Sequence, residues 1–462
     1  MKKIKLKHKK LIGFLLLFIT ISCKEIKKDV ESETNREVTF NQDIAPIIHQ
    51  NCTPCHRKGE AGPFVLETYK DVAKRSRMIK KVTEDRYMPP WPADHTYSNF
   101  CDERVLEQSE IELIAQWVKQ GKKEGDKKLM PPIPVFSAYS EFGKPDMVLR
   151  MQKPIMIKGD GAENFYIVKI PFTMKKDTFV KFIEFVPNQK NLLHHMNGSI
   201  IQYEKQASSR MYKEPFILNS EIENDKFLYQ KLGVLYDDGS YPLLTPSVSN
   251  YLPGVFASKY PDGIGGFKLR KNGVMILRDL HLGPSAKNVT ENSYFNFYFD
   301  NKPPVRRTVE IQMGTYGVSE IIPKLSIPAN TVKSFTSELG VPVDISILTI
   351  NPHMHRIGKT FKAFATTPEG MIIPLIKIND WDFRWQYFYT FRKMLKIPKG
   401  SIIRVEASFD NTLNNEDNPF DPPQLIEEKK GSMRSTDEML QFIITYMPYK
   451  TGDENISLEN KK

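Results

Sequence analysis

The chain has 462 residues, 40% hydrophobic and 26% charged, with four cysteines. That length suits about three domains, and the composition excludes a collagen-like, wholly disordered, polytopic membrane or disulfide-scaffold protein. The net charge is +11, but six lysines before Cys23 supply more than half of it. What remains is mildly basic and holds no basic patch that points to nucleic acid.

The first residues read as an address. Lys2, Lys3, Lys5, Lys7, Lys9 and Lys10 precede an apolar run, Leu11 to Ile21. Eleven residues are too few to span a bilayer and fit the apolar region of a signal peptide. The run ends in Thr20-Ile21-Ser22-Cys23, which resembles a bacterial lipobox. Residues 1–22 are therefore expected to be a signal peptide, with Cys23 the lipidated N-terminus and 23–36 a polar tether. An ordinary secretory signal with an incidental Cys is the alternative. Either way the mature chain is exported. With the lipid, it is anchored to a membrane and faces the periplasm or the surface of a Gram-negative-type cell.

Cys52-Thr53-Pro54-Cys55-His56 is the C-x-x-C-H pattern of covalent haem attachment. Two thiols at this spacing can each form a thioether with a porphyrin vinyl group, and His56 then lies under the iron. A thioredoxin-like pair would need a βαβ context, and a zinc site would need a second cysteine pair. Neither is present. Met88, in Tyr87-Met88-Pro89-Pro90-Trp91, is the expected sixth ligand, because the following proline favours an extended, rigid loop. Met78 and His95 are its rivals. Flanking helices are expected at Asp43 to Asn51, with Ile44, Ile47 and Ile48 inward, and from a capping box at Ser109 to Gly121. The expectation is a small all-α cytochrome c domain over 37–125, with Cys101 a partly buried free thiol.

A lysine- and proline-rich linker, 126–143, follows. Beyond it, apolar residues alternate with polar ones, as in Ile403, Val405, Ala407 and Phe409. Short strands separated by turn residues predict two all-β domains in tandem, 144–303 and 304–450, with a polar tail at 451–462. Five of the nine histidines lie in this part, in three motifs: His194-His195-Met196, His281, and His353-Met354-His355. His353 and His355 have strand spacing and share a face. His194 and His195 would point apart in a regular strand, so one metal could hold both only at a bulge. Imidazoles suit copper, zinc, iron or nickel.

The ordered set, His-His-Met, a single His about 90 residues on, His-x-His before a Gly, and Thr436-Asp437-Glu438-Met439, resembles the copper type II ascorbate-dependent monooxygenases. That family includes peptidylglycine α-hydroxylating monooxygenase and dopamine β-monooxygenase. The likeness spans about Lys144 to Tyr449 and includes Phe409-Asp410-Asn411-Thr412 upstream of the methionine. It implies two jelly-roll sandwiches and two copper ions. His194, His195 and His281 would hold an electron-transfer copper; His353, His355 and Met439 would hold the oxygen-binding, catalytic copper. Met439 could instead pack against Phe442.

The departures narrow the implication. No cysteine follows Cys101, Leu282 follows the single histidine, and Asn351 stands where the peptide enzyme has an arginine. Neither peptide amidation nor catecholamine chemistry is implied. The expected activity is hydroxylation of a small organic substrate with O2. Electrons would come through the haem from a one-electron donor, either a periplasmic or membrane redox protein or an ascorbate-like reductant, and would enter at the His194/His195/His281 copper. A non-catalytic haem and copper electron-transfer lipoprotein, and a copper-binding module with a degenerate site, are the alternatives.

Overall fold

The computed structural model describes residues 36–459, apart from 137–139, 141, 221, 224–226, 253–256, 258 and 429–434. Cys23 and the expected signal segment lie outside the described residues. Among the described residues, no helix is long and apolar enough to cross a membrane.

The N-terminal part is built by three helices whose apolar faces meet. A π-helical turn, Phe40–Ile44, runs into the helix Ala45–Asn51; the helices Tyr69–Glu84 and Gln108–Lys119 follow. Phe40, Ile44, Ile48, Ile111, Ile114 and Trp117 close the core between them. Each such side chain, fully buried, contributes roughly 1.5–3 kcal/mol. Thr68 and Asp71 form a reciprocal capping box on the second helix. The third helix starts earlier than the Ser109 box would have it: Glu107 is the N-cap, and its backbone N–H donates to Glu110 at 2.8 Å. Beyond its last turn the chain reverses at Gly121, where φ is +91°.

The expectation of an all-α cytochrome domain followed by two jelly-roll sandwiches is corrected by the structure. Strand makes up 36% and helix only 13%, and among the described residues no all-α unit stands apart. Between the second and third helices, residues 87–106 form an irregular strap built onto the β region. Ala93 bridges Ile378 and Phe100 bridges Phe391, and Ala93 and Phe100 belong to the hydrophobic core of the C-terminal sheets. The physical reason lies in Pro89, Pro90 and Pro92. They forbid helix here and leave an extended segment whose remaining polar groups find partners on strand edges. Asp94 N donates to Lys377 O at 2.7 Å, and Cys101 N donates to Thr390 O at 2.7 Å.

The sheets depart from the eight-stranded jelly-roll plan as well. Residues 147–300 form antiparallel sheets of four and six strands, and residues 309–448 form sheets of four and five. In the first six-stranded sheet, Asn272–Leu282 lies between Asn164–Thr173 and Leu193–Gln202. In the C-terminal four-stranded sheet, Ile345–His353 lies between Gln441–Pro448 and Tyr389–Ile397. These central strands carry the histidine motifs. Their neighbours bury the backbone on both edges, which fixes the side-chain positions. The segment expected as a polar tail is packed: Asp453 and Leu458 are buried, and Leu458 N donates to Arg392 O at 2.9 Å. Arg306, just past Pro303-Pro304, pairs through both guanidinium nitrogens with Asp453.

Candidate metal and haem sites

The first histidine cluster forms across two paired strands. The register sets His281 directly opposite His195, and it shifts between Leu277 and Leu280, where Asp279 takes φ +56°. This irregularity lets both adjacent histidines reach one partner. The His194 ring stacks on His281 at 4.4 Å, and the His195 ring meets it edge-on at 5.1 Å. Phe165 covers the other face of His281 at 4.1 Å.

The nitrogens sort differently from the rings. His194, His281 and Glu163 place one ligand atom each within 4.8 Å of one another. Glu163 Oε2 lies 3.3 Å from His281 Nε2. Buried His281 Nδ1 has no hydrogen-bond partner and Nε2 meets only Glu163, a shortfall a metal would repair. His195 Nε2 instead meets Asp279 Oδ2 at 2.8 Å, outside that tight group. His194 Nε2 contacts the carbonyl of Gly283. Burial, and then the neighbouring His281, hold His194 down to about 4; burial also lowers His281. Neutral imidazoles are what a metal requires. Glu163 is the residue that sequence reasoning missed. Its signal, an acid at the edge of a strand, is too common to select it.

The second cluster lies at the end of the central strand Ile345–His353. The His353 and His355 rings stand 5.1 Å apart at 85°. His353 Nδ1 contacts Gln386 Oε1, and His355 Nδ1 lies 2.8 Å from the carbonyl of Asp437. Each contact leaves Nε2 to face a ligand, as second-shell partners do in metal sites. Burial, then the neighbouring His355, hold His353 down to about 3; burial lowers His355 too. Glu438 ties the motif to the methionine loop. Its carboxyl accepts from His355 N at 2.9 Å, Ile357 N at 2.8 Å and Met439 N at 3.3 Å. Met439 is 8% exposed.

A cavity of about 660 Å³ joins the two clusters, lined by His195, Asp279, His353, His355 and Met439 among others. Phe383 lies between them, 5.6 Å from the His355 ring and 6.2 Å from the His195 ring. The donor sets, imidazoles with a carboxylate in one cluster and imidazoles with a thioether in the other, fit copper.

In the helical part, Cys52 and Cys55 are free thiols. Burial, then Cys55 beside it, push the Cys52 thiol up to about 12. His56 Nδ1 lies 3.0 Å from the carbonyl of Phe64, leaving Nε2 for an axial bond. A Cβ on Gly62 would sit 2.7 Å from the His56 ring, so only glycine allows this approach. A cavity of about 720 Å³ has Met88, His95, Trp91, Arg104 and Trp385 in its wall; Cys52, Cys55 and His56 do not line it, and Arg104 is its link to the motif. Arg104 Nη1 donates to Cys55 Sγ at 3.4 Å. The buried Nε1 of Trp91 has no hydrogen-bond partner, a donor that a haem propionate could meet. Met78, by contrast, is 51% exposed on its helix. Cys101 is partly buried; its Sγ lies 3.4 Å from Phe391 O, and burial pushes its thiol up to about 12. The residues present fit a c-type haem.

No family model matches the sequence, and no curated protein is significantly similar to it. Among solved structures, the major capsid protein P2 from bacteriophage PM2 is 10% identical, with a TM-score of 0.25, over 66% of this chain and 99% of its own. The structure of the infectious bursal disease virus Gx strain is 9% identical, with a TM-score of 0.15, over 71% of this chain and 81% of its own. Likenesses this slight carry no argument about fold or chemistry.

Proposed function

We propose that this chain is an exported copper-dependent monooxygenase, lipid-anchored at Cys23, that hydroxylates a small organic substrate with O2 and receives its electrons through a covalent haem on Cys52 and Cys55. The resemblance of its ordered histidine and methionine motifs to the copper type II monooxygenases supports this reading. The observation that carries it is the convergence of His195, His353, His355 and Met439 on one cavity. When bound, copper would supply one-electron chemistry toward O2, and haem held by Cys52, Cys55, His56 and Met88 would supply the electrons.

The chain's own residues perform the rest. Gln386 and the Asp437 carbonyl hold the tautomers of His353 and His355. Glu438 fixes the spacing between His355 and the Met439 backbone. Glu163, His194 and His281 form a second donor set, with His195 on the cavity side. Arg278, Glu310, Gln312 and Asn351 make much of the shared wall polar, so a small substrate would be oriented by hydrogen bonds.

Copper and haem iron counted on the purified mature chain should give two coppers per haem. Met439→Ala should abolish substrate-coupled O2 uptake. Unchanged substrate oxidation in that variant would discard the assignment of Met439, and a chain without copper would discard the reading.

A further inference from the structure

We propose that electrons leaving the haem enter at the His353/His355/Met439 site through Trp385 and Gln386, not at the His194/His195/His281 side as the motif order would suggest. The proposal rests on the copper and haem reading above and adds the route.

The two cavities share a wall one chain thick. Trp385 lines the cavity that holds Met88, and the next residue, Gln386, lines the cavity that holds His353. Gln386 Oε1 then contacts His353 Nδ1 directly. One peptide bond, one side chain and one hydrogen bond separate the two spaces. Electron tunnelling falls steeply with distance and passes more readily through bonds than through gaps, so this wall is a favourable crossing.

The strap holds the haem side against that wall. Trp91 lies 5.7 Å from Tyr387 and 5.3 Å from Tyr389. Tyr387 stacks on Trp385 at 6.3 Å with planes 7° apart, and its Oη donates to Pro90 O at 3.1 Å. Asn351 Nδ2 donates to Tyr387 O at 2.8 Å, which fixes the same segment to the strand that carries His353. Arg384 lies over the Tyr87 ring at 5.6 Å. Met88 thus sits between two residues, Tyr87 and Trp91, that are seated on 384–389.

The contact toward the other cluster is of a different kind. Glu60, four residues past His56, pairs with Lys190 at 2.5 Å, four residues before His194. This is an ion pair of flexible side chains rather than a packed ring contact. Onward transfer to the first cluster has its own bridge, because Phe383 touches both His355 and His195. The segment 383–388 therefore serves both steps, and the His353 side fills first. With both groups bound, the first step would carry one electron from haem, oxidised by one unit, to copper held by His353 and His355, reduced by one unit. No bond is made or broken and no proton moves.

The test is flash photoreduction of the haem in the full-length, fully oxidised protein without O2, following haem reoxidation by its visible absorbance. Reoxidation should keep its rate in His194→Ala and lose its fast phase in His353→Ala. Trp385→Leu should slow it at least tenfold, with partial recovery in Trp385→Phe. Loss of the fast phase in His194→Ala and its retention in His353→Ala would overturn the proposal. So would an unchanged rate in Trp385→Leu with haem spectrum and copper count intact. Should Trp385→Leu lose haem, the histidine pair decides alone. A wild-type chain that binds neither haem nor copper would defeat the underlying reading as well, and the metal counts show this before any rate is measured.

Discussion

The two histidine clusters use the same residue type against opposite electrostatic backgrounds. In the first, carboxylates face the rings: Glu163 lies 3.3 Å from His281 and Asp279 lies 2.8 Å from His195. In the second, the ring nitrogens' hydrogen-bond partners are neutral, the Gln386 amide and the Asp437 carbonyl, the buried acid Glu438 spends its oxygens on backbone amides, and Asp279 acts on these rings only from across the cavity. Anionic neighbours favour the more highly charged state of a bound metal, whereas a thioether in a neutral, buried setting favours the lower one. Histidine spacing alone would make the clusters equivalent; what surrounds them assigns different roles.

The sharpest way to separate them is Glu438→Gln. The amide keeps the shape, but its NH2 cannot accept, so either Ile357 N–H or the His355 and Met439 N–H groups lose their acceptor. Copper affinity at the second cluster should fall about 10- to 100-fold, the usual cost of losing a second-shell partner. The first cluster should be unaffected. Copper titration of the variant beside wild type reads both sites. Equal loss at both would mean that Glu438 supports the fold generally and not this cluster.

How far the sequence spoke for each region follows from the same physics. The His353-x-His355 pair was legible because strand periodicity alone puts both rings on one face, and the Met439 motif could be placed by resemblance. The geometry of the His194-His195 pair was not, because it depends on the register shift at Asp279 in a partner strand, 84 residues from His195. Glu163 and Gln386 carried no local signal; each acts only through what pairing brings beside it. The first and third helices were readable from apolar spacing, but the second, Tyr69–Glu84, was not, and neither was the strap 87–106, since extended proline-rich chain has no periodicity to show which surface it will join. That one segment is the reason the helical part does not stand alone.

Acid should loosen the tie between Arg306 and Asp453. The Arg306 guanidinium holds the buried Asp453 carboxyl down to about 2, helped by Ser346 Oγ at 2.6 Å. The ordinary value is 3.8. A depressed carboxyl contributes its full stability above the unfolded value and loses it as pH falls through the folded one. The contribution, roughly 2 kcal/mol from a shift of about two units, should therefore be present above pH 3.8 and vanish near pH 2. Thermal unfolding of wild type and Asp453→Asn across pH 2–5 checks this. Wild type should lose more of its midpoint on acidification than the variant, and parallel curves would remove Asp453 from the account.

The smallest expected effect bears most directly on the contrast between the clusters. Glu163→Gln removes a half-exposed charge near the His194 and His281 nitrogens while leaving their rings in place. A half-exposed pair of unit charges is worth about 0.5 kcal/mol, so a doubly charged cupric ion should lose about 1 kcal/mol and its affinity at the first cluster should drop about fivefold. Cuprous affinity should change less, because the lost attraction scales with the metal's charge. The reduction potential of that copper should therefore rise while the potential at the His353 cluster holds still. A redox titration followed by the cupric paramagnetic signal distinguishes the two. If both potentials move together, the clusters share one electrostatic environment through the cavity. If neither moves, Glu163 lies outside the metal's reach and His195 is the third donor after all.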